Sequence, residues 1–285
     1  MAEILQDWFM GFVNSVKNFV AYPAGRAMFW GNYEPKNFGD WVGPYLYNKV
    51  TGSDPYHSWT NWYIKQDVLF TAGSILRNIG YSNRAIVWGS GIISEKDSFA
   101  KPKRTLLVRG PRTQKRYEEL GFECPHCFGD PALILPFFYQ PVVDVKYQLG
   151  IVPHYTSYHL AIEKFSGLDG VKVIDVTLPI ENVMDEIASC EAVLSSSLHG
   201  VIVAHALGKK AAWVRFGKEL MGDDVKFYDY SESVGHDFFD PGVSLNGADD
   251  FKQLKNIAFR ESVPPVLTAQ QTISRTCPFG EINIP

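Results

Sequence analysis

Short β-rich runs that end in glycine or serine and then give way to a helical pattern recur along this chain, and few folds accommodate that alternation. Residues 67–72 lead into Gly73-Ser74, and 85–88 into Gly89-Ser90-Gly91. Residues 105–109 lead into Gly110-Pro111, followed by a helix-like stretch over 113–120. A second series begins after Pro136 and Pro141, with strands expected at 147–154, 171–176, 192–195 and 211–214 and helices at 183–190 and 198–207. Two series of parallel βαβ units imply an α/β chain of two Rossmann-like halves with a cleft between them. Ligand is expected at the carboxyl ends of the strands.

The boundaries that follow are an N-terminal half over 31–140 with a basic anion site and a C-terminal half over 141–260. A tail over 261–285, after the helix at 251–260 and Pro264-Pro265, should lie across the surface. Residues 1–30 form a separate amphipathic segment, in which Leu5, Trp8, Phe9, Phe12, Val16, Phe19 and Val20 recur at helical spacing. Such a helix docks on its own domain or lies on a membrane surface. Glu3 and Asp7 stand where a secretory signal carries lysines, and no apolar run reaches the length of a membrane span.

Composition removes other classes. With 46% hydrophobic and 20% charged residues over 285 positions, the chain is too apolar to be disordered. A net charge of -4 excludes nucleic acid as the main partner. Aromatic residues make up 14%, enough for a core and for ring platforms under a sugar. Cys124 and Cys127 form one C-P-H-C unit, but no second pair completes a zinc site, so no metal is expected. Reduced thiols fit a cytoplasmic protein. The P-loop, the dinucleotide fingerprint, the hydrolase elbow and the zinc-protease motif are all absent.

Two positive signals remain. Lys101, Lys103, Arg104, Arg109, Arg112, Lys115 and Arg116 form a basic island without an acidic residue among them. Arg109 and Arg112 bracket a strand end and a helix start, where a guanidinium fork and free N–H groups suit an anion. The second signal is Ser195-Ser196-Ser197-Leu198-His199-Gly200, a strand end running into a helix with a histidine in its first turn. Those serines are anion ligands or caps, and His199 is a proton carrier or a packed ring. Asp40, in Asn37-Phe38-Gly39-Asp40, is a helix cap or a carboxylate facing the cleft. His154 ends the first strand of the second half, Lys226 is a further cation for the cleft, and Ser90 sits in the G-S-G turn.

These segments occur in an order that resembles the polysaccharide pyruvyl transferase family. Asn37–Asp40 is followed by Val87-Trp88-Gly89-Ser90-Gly91, Val108-Arg109-Gly110-Pro111-Arg112-Thr113 and Gly129-Asp130-Pro131-Ala132. Then come Val152-Pro153-His154-Tyr155, the Ser195–Gly200 run and Lys226-Phe227-Tyr228-Asp229-Tyr230. The resemblance spans about residues 30–235 and implies a glycosyltransferase-B-like pair of halves, with phosphoenolpyruvate as donor substrate and no cofactor. The product would be a pyruvate ketal on an exopolysaccharide or its lipid-linked precursor, made in the cytoplasm or at the inner membrane face. It maps a donor-binding arginine onto Arg109 and a histidine onto His199. Some members carry an arginine two residues before that histidine. Ser197 holds the place here, which leaves Arg112 or Lys226 to substitute. A nucleotide-sugar glycosyltransferase and a non-catalytic carbohydrate-binding protein share the same plan and are the competing readings.

Overall fold

The computed structural model describes residues 26–60, 65–80, 84–217, 221–246 and 250–284. The segment expected to be an amphipathic helix therefore lies outside the described residues up to position 25. The first half begins with β1 (Ala27–Phe29), which is followed by α1 (Val42–Thr51), β2 (Tyr56–His57), β3 (Val68–Phe70) and β4 (Ala85–Trp88). β5 (Arg104–Leu107) and α2 (Pro111–Glu119) complete it. The second half comprises β6 (Tyr147–Val152), α3 (Tyr158–Phe165), β7 (Val171–Val173), α4 (Ile180–Ala188) and β8 (Cys190–Ser195). It continues with α5 (Leu198–Ala206), β9 (Lys210–Arg215), α6 (Val225–Ser233), β10 (Val243–Ser244) and α7 (Phe251–Arg260). A last helix, α8 (Leu267–Arg275), follows.

Each half is a five-stranded sheet, ordered β2-β1-β3-β4-β5 in the first and β10-β9-β8-β6-β7 in the second. All the pairings are parallel. Counted from each half's own first strand, both orders read 2-1-3-4-5, so the order in which strands are added reverses between the first and third strands of each sheet. Those reversals open a crevice at the strand ends, where open α/β sheets hold ligand. The α/β expectation of two Rossmann-like halves is met.

Local sequence explains the elements. Ile180, Val183, Met184 and Ile187 bury one stripe of α4 at helical spacing. Every residue from Leu198 to His205 is buried, which makes α5 a central core helix. Asp250 caps α7 by accepting a hydrogen bond from the Gln253 amide at 2.9 Å.

Two boundaries differ from expectation. β1 falls inside the segment assigned to the amino-terminal helix, yet it is a central strand of the first sheet. The residues beyond 260 are not a surface tail. α8 buries Ala269, Gln270 and Ile273, and Gln270 Nε2 donates to the Leu133 carbonyl at 2.8 Å. Trp88 Nε1 donates to the Ile273 carbonyl at 3.2 Å, and Phe279 packs edge-on to Trp88 at 5.2 Å. The C-terminal segment thus returns to the first half. One buried cluster runs through both halves, from Trp88 and Leu133 to Val193 and Trp213.

Candidate functional site

The two reversals face each other, and the cleft between them has a volume of about 290 Å³. The first half lines it with Gly31 and Asp40 beyond β1 and with Ser74, Arg77 and Asn78 beyond β3. The second half contributes His154 beyond β6, Ser197 and His199 beyond β8, and Lys226 from the first turn of α6. Of the residues singled out in the sequence, the fold gathers Asp40, His154, Ser197, His199 and Lys226 here.

His199 is the second residue of α5 and is 7% exposed. Its Nε2 lies 3.7 Å from Asp130 Oδ2, a carboxylate that is completely buried. Asp130 Oδ1 meanwhile accepts from the Ala132 amide at 3.0 Å and caps the 3-10 turn Pro131–Phe137. At that separation neither atom has a hydrogen-bond partner among the described residues, so the carboxylate acts on the ring through its charge. Burial lowers the His199 pKa, and the charges of Arg109 and Lys226 act in the same direction against the opposing pull of Asp130. That direction leaves the ring neutral near pH 7. A Cβ at Gly39 would overlap the His199 imidazole, so the glycine of the N-F-G-D segment is what allows the 3-10 turn Phe38–Trp41 to close on this ring.

Asp40 lies on that same turn. Asn37 is the cap, its Oδ1 accepting from the Gly39 amide at 3.3 Å, so Asp40 is released to line the cleft. Burial raises its carboxyl pKa to about 6, with Lys226 and Asn37 opposing. Lys226 has the reverse problem. Loss of water, reinforced by Arg109, brings its ammonium down to about 8, and Asp224 and Asp40 hold it up. His154 accepts from the Thr156 amide and lies 2.8 Å from Thr156 Oγ1, while burial and Lys226 lower its pKa to about 4. It is a neutral wall residue. Ser197 N-caps α5 by position, but its hydroxyl makes no capping bond and borders the cleft.

The remaining sequence candidates lie elsewhere. Arg109, expected as an anion clamp, is wholly buried and its guanidinium is already engaged. Nε pairs with Asp229 Oδ2 at 2.9 Å, NH1 donates to Ser74 Oγ at 2.7 Å, and NH2 donates to the Ile92 carbonyl at 2.6 Å. Thr113 completes the arrangement, donating to Asp229 from its amide at 2.9 Å and its hydroxyl at 2.7 Å. A Cβ at Gly91 would strike this guanidinium, which explains the second glycine of the G-S-G turn.

Arg112 sits in a separate surface hollow. It pairs with Glu232 at 2.8 Å and Glu95 at 3.3 Å and lies over the Tyr228 ring. Ser90 is buried and donates to the Thr71 carbonyl. Ser195 is buried at the end of β8, where its hydroxyl donates to the Val152 carbonyl at 3.0 Å, and Ser196 accepts from the His154 amide at 2.9 Å. Gly200 is a packing position, since a Cβ there would collide with Ser195 Oγ. These residues hold the turns in shape and do not face the cleft.

Asp130, Asp229 and Arg77 were not singled out for the site from sequence. Asp130 carries a signal, an aspartate directly before a proline that opens a helical turn. Arg77 follows a strand end but belongs to no motif. A larger groove of about 620 Å³ runs between α1 and α4, floored by Trp41, Tyr45 and Ile180. His154, His199, Asp40 and Lys226 lie outside it and line the smaller cleft instead. Among the described residues, no group of three or more His, Cys, Asp or Glu side chains is arranged to hold a metal ion. Nor is any described helix long and apolar enough to cross a membrane.

An uncharacterized protein of Acanthamoeba polyphaga mimivirus is 30% identical over 161 residues, a match covering 54% of this chain and 56% of that protein. The chain thus aligns with only about half the length of that relative. No solved structure matches. Residues 25–216, which contain both sheet reversals, Asp40, Asp130 and the Ser195–His199 turn, match the polysaccharide pyruvyl transferase family, and the chain belongs to that family.

Proposed function

We propose that the protein transfers the pyruvyl group of phosphoenolpyruvate to two hydroxyls of a saccharide, forming a cyclic ketal and releasing phosphate. The observation that carries this reading is the composition of the cleft. A buried histidine backed by a carboxylate, a carboxyl with its pKa raised to about 6 and a lysine lowered to about 8 line one cavity. Groups whose environments push their pKa values toward neutrality suit acid and base work. The N-terminus of α5 adds N–H donors for a phosphate.

In the proposed sequence, Lys226 and the start of α5 hold the donor's phosphate. The donor's negative charge offsets the burial that keeps His199 neutral, and the resulting imidazolium donates a proton to the methylene carbon. The first sugar hydroxyl attacks the neighbouring carbon and gives its proton to Asp40, ionised above about pH 6. The second hydroxyl forms its bond to the same carbon as the bond to phosphate breaks, and its proton returns to His199. Two C–O bonds and one C–H bond form as the C=C π bond, the C–O bond to phosphate and two O–H bonds break, and phosphate leaves with the bridging oxygen and takes up the proton held by Asp40. Asp130 positions the ring and stabilises its charged form, as a carboxylate does behind a catalytic histidine.

The two halves and their intervening cleft would then form a glycosyltransferase-B-like enzyme. The acceptor would be an exopolysaccharide or its lipid-linked precursor, modified in the cytoplasm or at the inner membrane face. The four free thiols fit a reducing compartment. The test is incubation of the full chain with phosphoenolpyruvate and a panel of saccharides, read by phosphate release and by mass spectrometry of the sugar. Acceptor-dependent phosphate release with ketal formation is expected. Turnover of nucleotide sugars in place of phosphoenolpyruvate would replace this reading with glycosyl transfer.

A further inference from the structure

We propose that Arg77 is the second cation of the donor site and takes the role left open by Ser197, an inference that rests on the phosphoenolpyruvate reading above. Phosphoenolpyruvate carries a carboxylate and a phosphate that is close to doubly ionised near neutral pH. Lys226 alone matches one of these groups. His199 and His154 are held toward the neutral form, and Asp40 adds negative charge as it ionises. The arginines that the sequence offers are committed: Arg109 to Asp229, and Arg112 to Glu232 and Glu95.

Arg77 is different. It sits in the 3-10 turn Leu76–Asn78, beyond the end of β3, and lines the same cleft as Lys226. It is exposed, and no carboxylate among the described residues lies within ion-pair distance of it. Its guanidinium donates to the Met221 thioether at 3.2 Å, a weak acceptor. By contrast, Arg116 and Arg215 are each closed by a carboxylate at 3.0 and 2.8 Å. Arg77 is thus a planar fork in the candidate cleft whose place a better acceptor would readily fill.

The two cations come from opposite sides. Arg77 stands at the reversal of the first sheet, and Lys226 stands with Ser197 and the start of α5 at the reversal of the second. A ligand with one anionic group at each end bridges them. The fork of Arg77 matches the planar carboxylate in two-point fashion, while Lys226 and the α5 amides take the phosphate. Donor binding then ties the two halves together.

The experiment is isothermal titration of the full chain with phosphoenolpyruvate and, separately, with inorganic phosphate. The variants are Arg77→Ala, Arg77→Lys and, as a control outside the cleft, Arg112→Ala. Arg77 is exposed, and circular dichroism verifies that its variants fold. Loss of a charge-assisted contact predicts that Arg77→Ala weakens phosphoenolpyruvate binding roughly 10–100-fold. Phosphate affinity should change less than about twofold, and Arg77→Lys should recover only part of the loss. Phosphoenolpyruvate binding by Arg77→Ala within about twofold of the parent overturns the role of Arg77 and leaves the donor reading intact. Absence of phosphoenolpyruvate binding by the parent chain overturns both.

Discussion

Two strand-to-helix turns in this chain carry almost the same credentials and end with opposite jobs. After β5 come Arg109, Gly110, Pro111 and Arg112; after β8 come three serines, Leu198 and His199. Each turn lies at the carboxyl end of a parallel strand, beside a helix start. Asp229 of α6 inserts behind the first turn and neutralises Arg109 in the interior, where a guanidinium without a partner carries a large desolvation cost. No carboxylate takes up the second turn in that way. Asp130 stays 3.7 Å from His199, close enough to bias its proton but not to fix it in a hydrogen bond. A strand-end side chain stays available to a cleft only where the packing elements leave it without a partner.

Removing His199 should have the largest effect. His199→Ala is expected to lower acceptor-dependent phosphate release about 10²–10⁴-fold, with little change in the urea midpoint. Retention of full turnover would remove His199 from the chemistry. The opposite pattern is expected at the other turn, where Asp229→Ala strands a buried guanidinium and should cost about 3–5 kcal/mol in urea denaturation. A loss below about 1 kcal/mol would show that the pair does not join α6 to the first half.

Intermediate effects concern protons. Donor affinity should fall as pH rises through about 8, because Lys226 loses its charge there, and Lys226→Gln should abolish that limb in a titration series. Asp40 has a folded pKa of about 6, above its ordinary 3.8. Its contribution to stability is therefore complete below about pH 4 and is lost as pH rises through about 6. Asp40→Asn should raise the melting temperature at pH 8 and leave it nearly unchanged at pH 4. The smallest effect belongs to Arg112→Ala, whose partners are at the surface: about 0.5 kcal/mol or less per ion pair, with donor affinity unaltered.

The two-halved α/β fold was readable because parallel strands buried on both faces leave continuous apolar runs that stop at glycine or serine. The strand at Ala85–Trp88 and the helix at Phe251–Arg260 match their sequence limits. β1 and β2, only three and two residues long, leave no such run, and α8 is recognised only through its contacts with Trp88 and Leu133. Within the cleft, Ser197 and His199 were legible because they fall in one contiguous run at a strand end. The fate of Arg109 was not, because its counter-ion lies 120 residues downstream. Asp40 shows a milder form of the same limit: on sequence alone a cap is its likelier role, and the structure gives the cap to Asn37 instead. Short-range chemistry is written locally, whereas neutralisation of charge is settled by packing.

The most direct test of the account is histidine side-chain NMR during titration with phosphoenolpyruvate. The chain has seven histidines, of which His154 and His199 line the cleft. The ring signals of His199 and His154 should move saturably and the His199 pKa should rise when donor binds, while the signals of the other five histidines stay in place. A saturable response confined to His126, nearest in sequence to the basic island, or no response at His199 despite measurable binding, would contradict it.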